Sequence, residues 1–184
     1  MISTLVPSKI QTKSWRKNQE WYDTGKRNEC EIFQKQQLER LFGIFSKSTN
    51  IRINSVNGEM IKISNHCLNK LENCYDYTED FDVVSERYKL LINLKFVCDK
   101  GGAQTRTLKE VRHFIQSQEK AVLNTGYYFI NILDGDGSYN SIHKIKSGIQ
   151  DNPRIFIGDM SQFGLWFNKH FIQLLLNNSV GKVE

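Results

Sequence analysis

Proline is nearly absent: Pro7 and Pro153 are the only two in 184 residues. With no Pro-rich linker, no internal repeat and no low-complexity tract, nothing divides the chain into separate units. No apolar run approaches the roughly 18 to 20 residues that a membrane span needs, and the opening MISTLVPSKIQTKSWRKNQE lacks the apolar block of a signal peptide. These absences predict a soluble, cytoplasmic protein with no membrane partner. The four cysteines, Cys30, Cys67, Cys74 and Cys98, include no C-x-x-C pair, so neither a zinc site nor a disulfide framework has its required spacing. They are expected to be reduced packing residues. His66, His113, His143 and His170 lack ligand spacing such as H-E-x-x-H and are expected to be ordinary surface or core residues.

What remains is 39% hydrophobic and 11% aromatic, enough to build one core and too little for two comfortable ones. Lys9, Lys13, Arg16, Lys17, Lys26 and Arg27 crowd the first thirty positions; residues 1–26 read as an irregular basic arm and residues 27–184 as a single domain. A net charge of +5 suits a polyanionic partner, nucleic acid first among them.

Along the domain, Ile32, Phe33, Leu38, Leu41, Phe42 and Phe45 recur at helical spacing after Asn28, a cap candidate. Ile51 to Ile63 alternates around Asn57-Gly58, which predicts a hairpin, and Ser64 to Leu71 suits a short helix. TEDFDVV (78–84) and YKLLINLKFV (88–97) predict two adjacent strands at a sheet centre, joined through Ser85-Glu86-Arg87. A helix capped by Thr105 or Thr107 follows, with Leu108, Val111, Ile115, Ala121 and Val122 on its buried stripe. Then come a strand at 127–133, a helix or irregular crossover, a strand at 154–159 and a closing helix whose apolar stripe holds Phe163, Trp166 and Phe167. LDGDGSYN (133–140) places Tyr139 and Ile145 where a calcium loop needs glycine and glutamate, so it reads as a strand-end turn. Strands separated by helix-length connections need crossovers, which predicts an α/β fold: a central mixed sheet flanked by helices.

Period-2 geometry puts Thr78, Asp80 and Asp82 on one face of the first central strand and Asn93, Lys95 and Val97 on one face of the second. Lys95 between Leu94 and Phe96 is costly to bury and needs a carboxylate or an anionic ligand. Asp82 on the paired strand is the nearest candidate, with Asp80 as its competitor or a supporting residue.

The layout of Asp82, a short hairpin, x-x-Lys on the next strand, a helix and a further strand resembles the PD-(D/E)XK nuclease core. TEDFD and INLKFVCDKGGAQTRTLKEV are similar to segments of type II restriction endonucleases, over about residues 78–160. The chain departs from the pattern at Phe81, where the name-giving proline would stand, and at Asn93, where the family carries an acid. In some members the missing carboxylate comes from the following helix, and Glu110 occupies that place.

The resemblance implies a restriction-endonuclease-like core and Mg²⁺-dependent hydrolysis of phosphodiester bonds in double-stranded DNA by a homodimer that reads a symmetric site. It assigns Asp82, Glu110 and Asn93 to the metal and Lys95 to the water and the developing charge, because cleavage must neutralise the phosphate and generate hydroxide. Lys100, Gln104, Thr105 and Arg106 fall where DNA lies in the family, and Gln and Arg are natural readers of base edges. Two alternatives stay open: a catalytically impaired DNA-binding protein or subunit of the same fold, and a repair or RNA nuclease.

Overall fold

The computed structural model describes residues 12–23, 28–45, 47, 49–63, 76–98 and 102–172. Its helices are α1 (Thr12–Lys17), α2 (Glu29–Phe42), α3 (Gly102–Ala121), α4 (Asp136–Lys146) and α5 (Met160–Phe167). Its strands are β1 (Ile51–Ile53), β2 (Met60–Lys62), β3 (Val83–Ser85), β4 (Leu90–Phe96), β5 (Tyr128–Asp134) and β6 (Ile155–Gly158). β1 and β2 form the expected hairpin, and the other four make a mixed sheet in the order β3-β4-β5-β6. β3 runs antiparallel to β4, while β4, β5 and β6 are mutually parallel and joined through α3 and α4.

Alternation along β4 sorts the core onto two faces. Ile92 and Leu94 join Leu38 of α2, Ile130, Ile132 and Phe163 of α5 in one cluster. On the other face Leu91 meets Phe81, Phe114 and Phe129, while Val111, Ile115, Leu133 and Ile145 pack α3 and α4 against the sheet. The fold is therefore α/β with helices on both faces. Among the described residues no helix is long and apolar enough to cross a membrane.

Several expectations change. β3 is an edge strand and begins only at Val83, because residues 78–81 bond to β1 instead: Ile53 and Thr78 pair through Thr78 N to Ile53 O at 2.9 Å, and Phe81 N donates to Ile51 O. Asp80 pairs with Arg52 at 2.5 Å, so its charge is engaged by the hairpin. On α2, Ile32 and Leu41 are exposed while Gln34 and Gln37 are buried, Phe45 lies exposed beyond the helix end, and Asn28 makes no side-chain capping bond. α3 starts at Gly102, ahead of both Thr105 and Thr107. Asp136 opens α4, so LDGDGSYN is a tight strand-to-helix turn, and α5 passes into a π-turn at Asn168–Ile172.

The arm is not irregular throughout. α1 docks on α2 through Trp15, edge-on to Phe33 at 6.0 Å; Trp21 after the helix stacks on the same ring at 4.5 Å, and Thr12 hydrogen-bonds Asp136. Cys30 and Cys98 are buried free thiols, as packing residues should be. Cys67, Cys74 and the short helix expected at 64–71 lie outside the described residues.

Asp134, the last residue of β5, is fully buried and its carboxyl is pushed up to about 7 by that burial. Bonds from Gln34 Nε2 (2.6 Å) and Met160 N (3.1 Å) oppose the shift, and the charge of Asp159 adds to it. The unfolded carboxyl titrates near 4, so between about pH 4 and 7 the native state holds the extra proton and stability falls as pH rises. Chemical denaturation across that window should show a contribution of up to about 1.4 kcal/mol per pH unit that is lost in Asp134→Asn.

Candidate functional site

The connection between β3 and β4 brings the expected pair to one end of the sheet. Asp82 stands one residue ahead of β3, and its Oδ2 accepts the N–H of Leu94 at 2.7 Å, a donor that a longer β3 would have bonded. The carboxylate is thereby fixed to the backbone between Asn93 and Lys95. Burial raises its pKa above the ordinary value; the Leu94 N–H and the charges of Lys95 and Lys35 oppose the rise, and Glu79 adds to it. A carboxylate desolvated beyond what its neighbours repay is stabilised by a cation.

Lys95 finds a carboxylate, but it is Glu79 rather than Asp82: Nζ lies 3.2 Å from Glu79 Oε2, with the lysine side chain 26% exposed. Glu79 sits in the irregular segment that the hairpin pulls aside, which is why strand periodicity missed it. Glu79, Asn93, Lys95, Glu110 and His113 line one cavity of about 250 Å³ above Phe114. Asn93 and Glu110, expected to share a site with Lys95, do meet it here. Glu110 is 2.8 Å from Arg106 one helical turn earlier, so the residue expected to read DNA is held by the residue expected to hold metal.

Sequence reading also missed Glu31 on α2. Burial raises its pKa, the Lys95 charge lowers it and the Asp82 charge raises it further, so the three groups lie within electrostatic reach. The signal was present: Glu31, Gln34 and Leu38 share one helix face at spacings of three and four, the face that meets the sheet.

Mg²⁺ keeps several waters and takes one or two carboxylates plus substrate phosphate, so it needs no complete protein cage. Among the described residues no three His, Cys, Asp or Glu side chains are grouped to hold a metal ion on their own. Asp82 itself does not line the cavity of Lys95 and Glu110, so a Mg²⁺ at this end of the sheet would draw on its fixed, desolvated carboxylate from one side and on Asn93 and Glu110 from the cavity.

The remaining expected residues divide. Lys100 lies outside the described residues, and Gln104 falls in the first turn of α3. Thr105 lines a groove of about 400 Å³ between α3 and α4, with Lys109, Arg112, Asn140, Ser141 and Lys144. That lining carries three cations and no carboxylate. A larger hollow of about 560 Å³ beside β6 is lined by Lys146, Asp151, Phe156, Trp166 and His170. No family model, no curated protein and no solved structure matches the chain.

Proposed function

We propose that the protein is a Mg²⁺-dependent endonuclease of the PD-(D/E)XK type that cuts double-stranded DNA at specific sites as a homodimer. The observation that carries this reading is the placement of Asp82, anchored on the Leu94 N–H and within electrostatic reach of Lys95, at one end of the antiparallel β3–β4 pair, with Lys95, Asn93, Glu79 and Glu110 lining the adjoining cavity. Bound there, Mg²⁺ supplies Lewis-acid stabilisation of the phosphate and a water of lowered pKa.

The chain's own groups have distinct tasks. Asp82 holds the cation side of the site through the oxygen not given to Leu94 N–H. Lys95 donates from Nζ to a phosphate oxygen and offsets charge as the phosphodiester gains it, exchanging Glu79 for the substrate. Asn93 offers a neutral oxygen, and Glu110 supplies a further carboxylate when Arg106 turns from it to the nucleic acid. Comparing duplex DNA, single-stranded DNA and RNA under Mg²⁺ tests the reading: cleavage confined to duplex supports it, and cleavage of RNA alone overturns it.

The α3–α4 groove suits the DNA backbone, since Lys109, Arg112 and Lys144 line it without an acid. Substituting all three with glutamine should weaken duplex binding and flatten the slope of log K against log salt by about 0.9 for each phosphate no longer neutralised. Anisotropy titrations at several salt concentrations measure both; an unchanged slope places the DNA elsewhere. A second reading, a DNA-binding protein that does not cut, is favoured by the neutral Asn93 and by the absence of a three-acid metal cluster among the described residues. It predicts duplex binding without Mg²⁺ and no nicking.

A further inference from the structure

Asn93, Asn131 and Gln118 are three buried amides between the sheet and α3. Asn93 on β4 and Asn131 on β5 are register partners, and Gln118 reaches them from α3. A buried amide must place both ends, so each member constrains the next.

The direction of the whole set follows from one backbone atom. The carbonyl oxygen of Phe156 on β6 can only accept, so the group 3.2 Å from it is the Asn131 Nδ2 nitrogen. The same nitrogen donates to Gln118 Oε1 at 2.7 Å. Asn131 Oδ1 then faces the other way, where it accepts from Gln118 Nε2 at 3.0 Å and from Asn93 Nδ2 at 3.2 Å. With its nitrogen committed to Asn131, Asn93 has its carbonyl oxygen on the opposite side of the amide, and Asn93 lines the cavity that holds Lys95 and Glu110.

We propose that Asn131 and Gln118 are positioning residues that lock the Asn93 amide with its nitrogen inward and its carbonyl oxygen toward the cavity, as a neutral oxygen ligand for a divalent cation. The inference rests on the nuclease reading of that cavity. It also accounts for the asparagine at a position where an acid was expected. An aspartate there would set a carboxylate oxygen against Asn131 Oδ1, two acceptors face to face, whereas an amide donates inward while presenting an oxygen outward.

Mn²⁺ binding followed by electron paramagnetic resonance tests this without any turnover. Asn131→Leu, with its fold checked by circular dichroism, should bind Mn²⁺ about 10-fold more weakly. Asn93→Leu should lose at least as much, and the double variant should lose no more than Asn93→Leu alone, because Asn131 acts only through Asn93. Gln118→Glu gives an independent readout if Asn131→Leu does not fold. As a carboxylate it cannot donate to Asn131 Oδ1, whereas protonated it restores both bonds. Its Mn²⁺ affinity relative to wild type at the same pH should therefore recover as pH is lowered. Wild-type affinity in Asn131→Leu, additive losses in the double variant, or a Gln118→Glu ratio that does not change with pH each overturn the positioning role. A wild-type protein that binds no Mn²⁺, or an Asn93→Leu variant that binds it normally, overturns the cavity reading and this inference with it.

Discussion

Asp82→Asn should lower Mg²⁺-dependent cleavage of duplex DNA by about 10³-fold, the scale of removing one electrostatic element from a transition-state site. The asparagine keeps an oxygen to accept the Leu94 N–H, so the β3–β4 end retains its backbone connection and the melting temperature should stay near that of wild type. What disappears is the negative charge beside Lys95. Duplex affinity measured in EDTA should remain or rise, since a buried negative charge near the phosphate has been removed. A variant that cleaves at the wild-type rate shows that Asp82 is a strand-end cap and nothing more. A variant that fails to fold is distinguished by its melting curve and leaves the test to Lys95→Ala, which removes the cation at the same end of the sheet and should cost about 10²-fold or more.

The largest effect on stability is expected at the opposite edge of the site. Gly135 joins β5 to α4 at φ +96° and ψ 153°, a conformation reserved for glycine. A Cβ there would stand 2.1 Å from the carbonyl oxygen of Val97 and 2.7 Å from its carbon, both backbone atoms. That carbonyl accepts from Gly137 N at 3.0 Å, and Val97 N donates to Asp134 O, so the turn is clasped to the residue two beyond Lys95. Gly135→Ala should therefore destabilise the protein by about 3–5 kcal/mol, combining backbone strain with displacement of a buried hydrogen-bonded segment. At this chain length that lowers the melting midpoint by about 6–20 °C. Gly126→Ala is the matched control: nothing lies within 4 Å of its added Cβ, and its effect should fall within about 0.5 kcal/mol. Equal melting curves for the two variants would show that the β5–α4 turn yields easily.

The sheet was legible because its chemistry is local. Runs such as LLINLKF and YFINILD can hardly be anything but buried strands, and helix-length spacers between them force parallel pairing. The pairing of Asp82 with the Lys95 strand followed from the short connection at 86–89. What periodicity could not see was competition for residues 78–81. Their backbone groups bond to β1, a pairing set by a hairpin about twenty-five residues away, and this moved Asp80 to Arg52 and gave Lys95 to Glu79. Glu31 was legible in principle, since it shares a helix face with Leu38, but a charged residue in a buried stripe is read as an error of phase until the sheet beneath it is known. Asn131 and Gln118 follow the same logic: each looks like a lapse in an apolar pattern, and only the register Asn93↔Asn131 reveals that the lapses satisfy one another.

The proposed function stands on phosphodiester cleavage at the Asp82–Lys95 end of the sheet. The direct measurement is incubation of the purified protein with a long duplex DNA and Mg²⁺, beside an EDTA control and Asp82→Asn, resolved on a gel. Discrete fragments in the Mg²⁺ lane alone, absent with EDTA and with the variant, are the predicted result. Intact DNA in the Mg²⁺ lane, or fragments that persist in the variant, would contradict it.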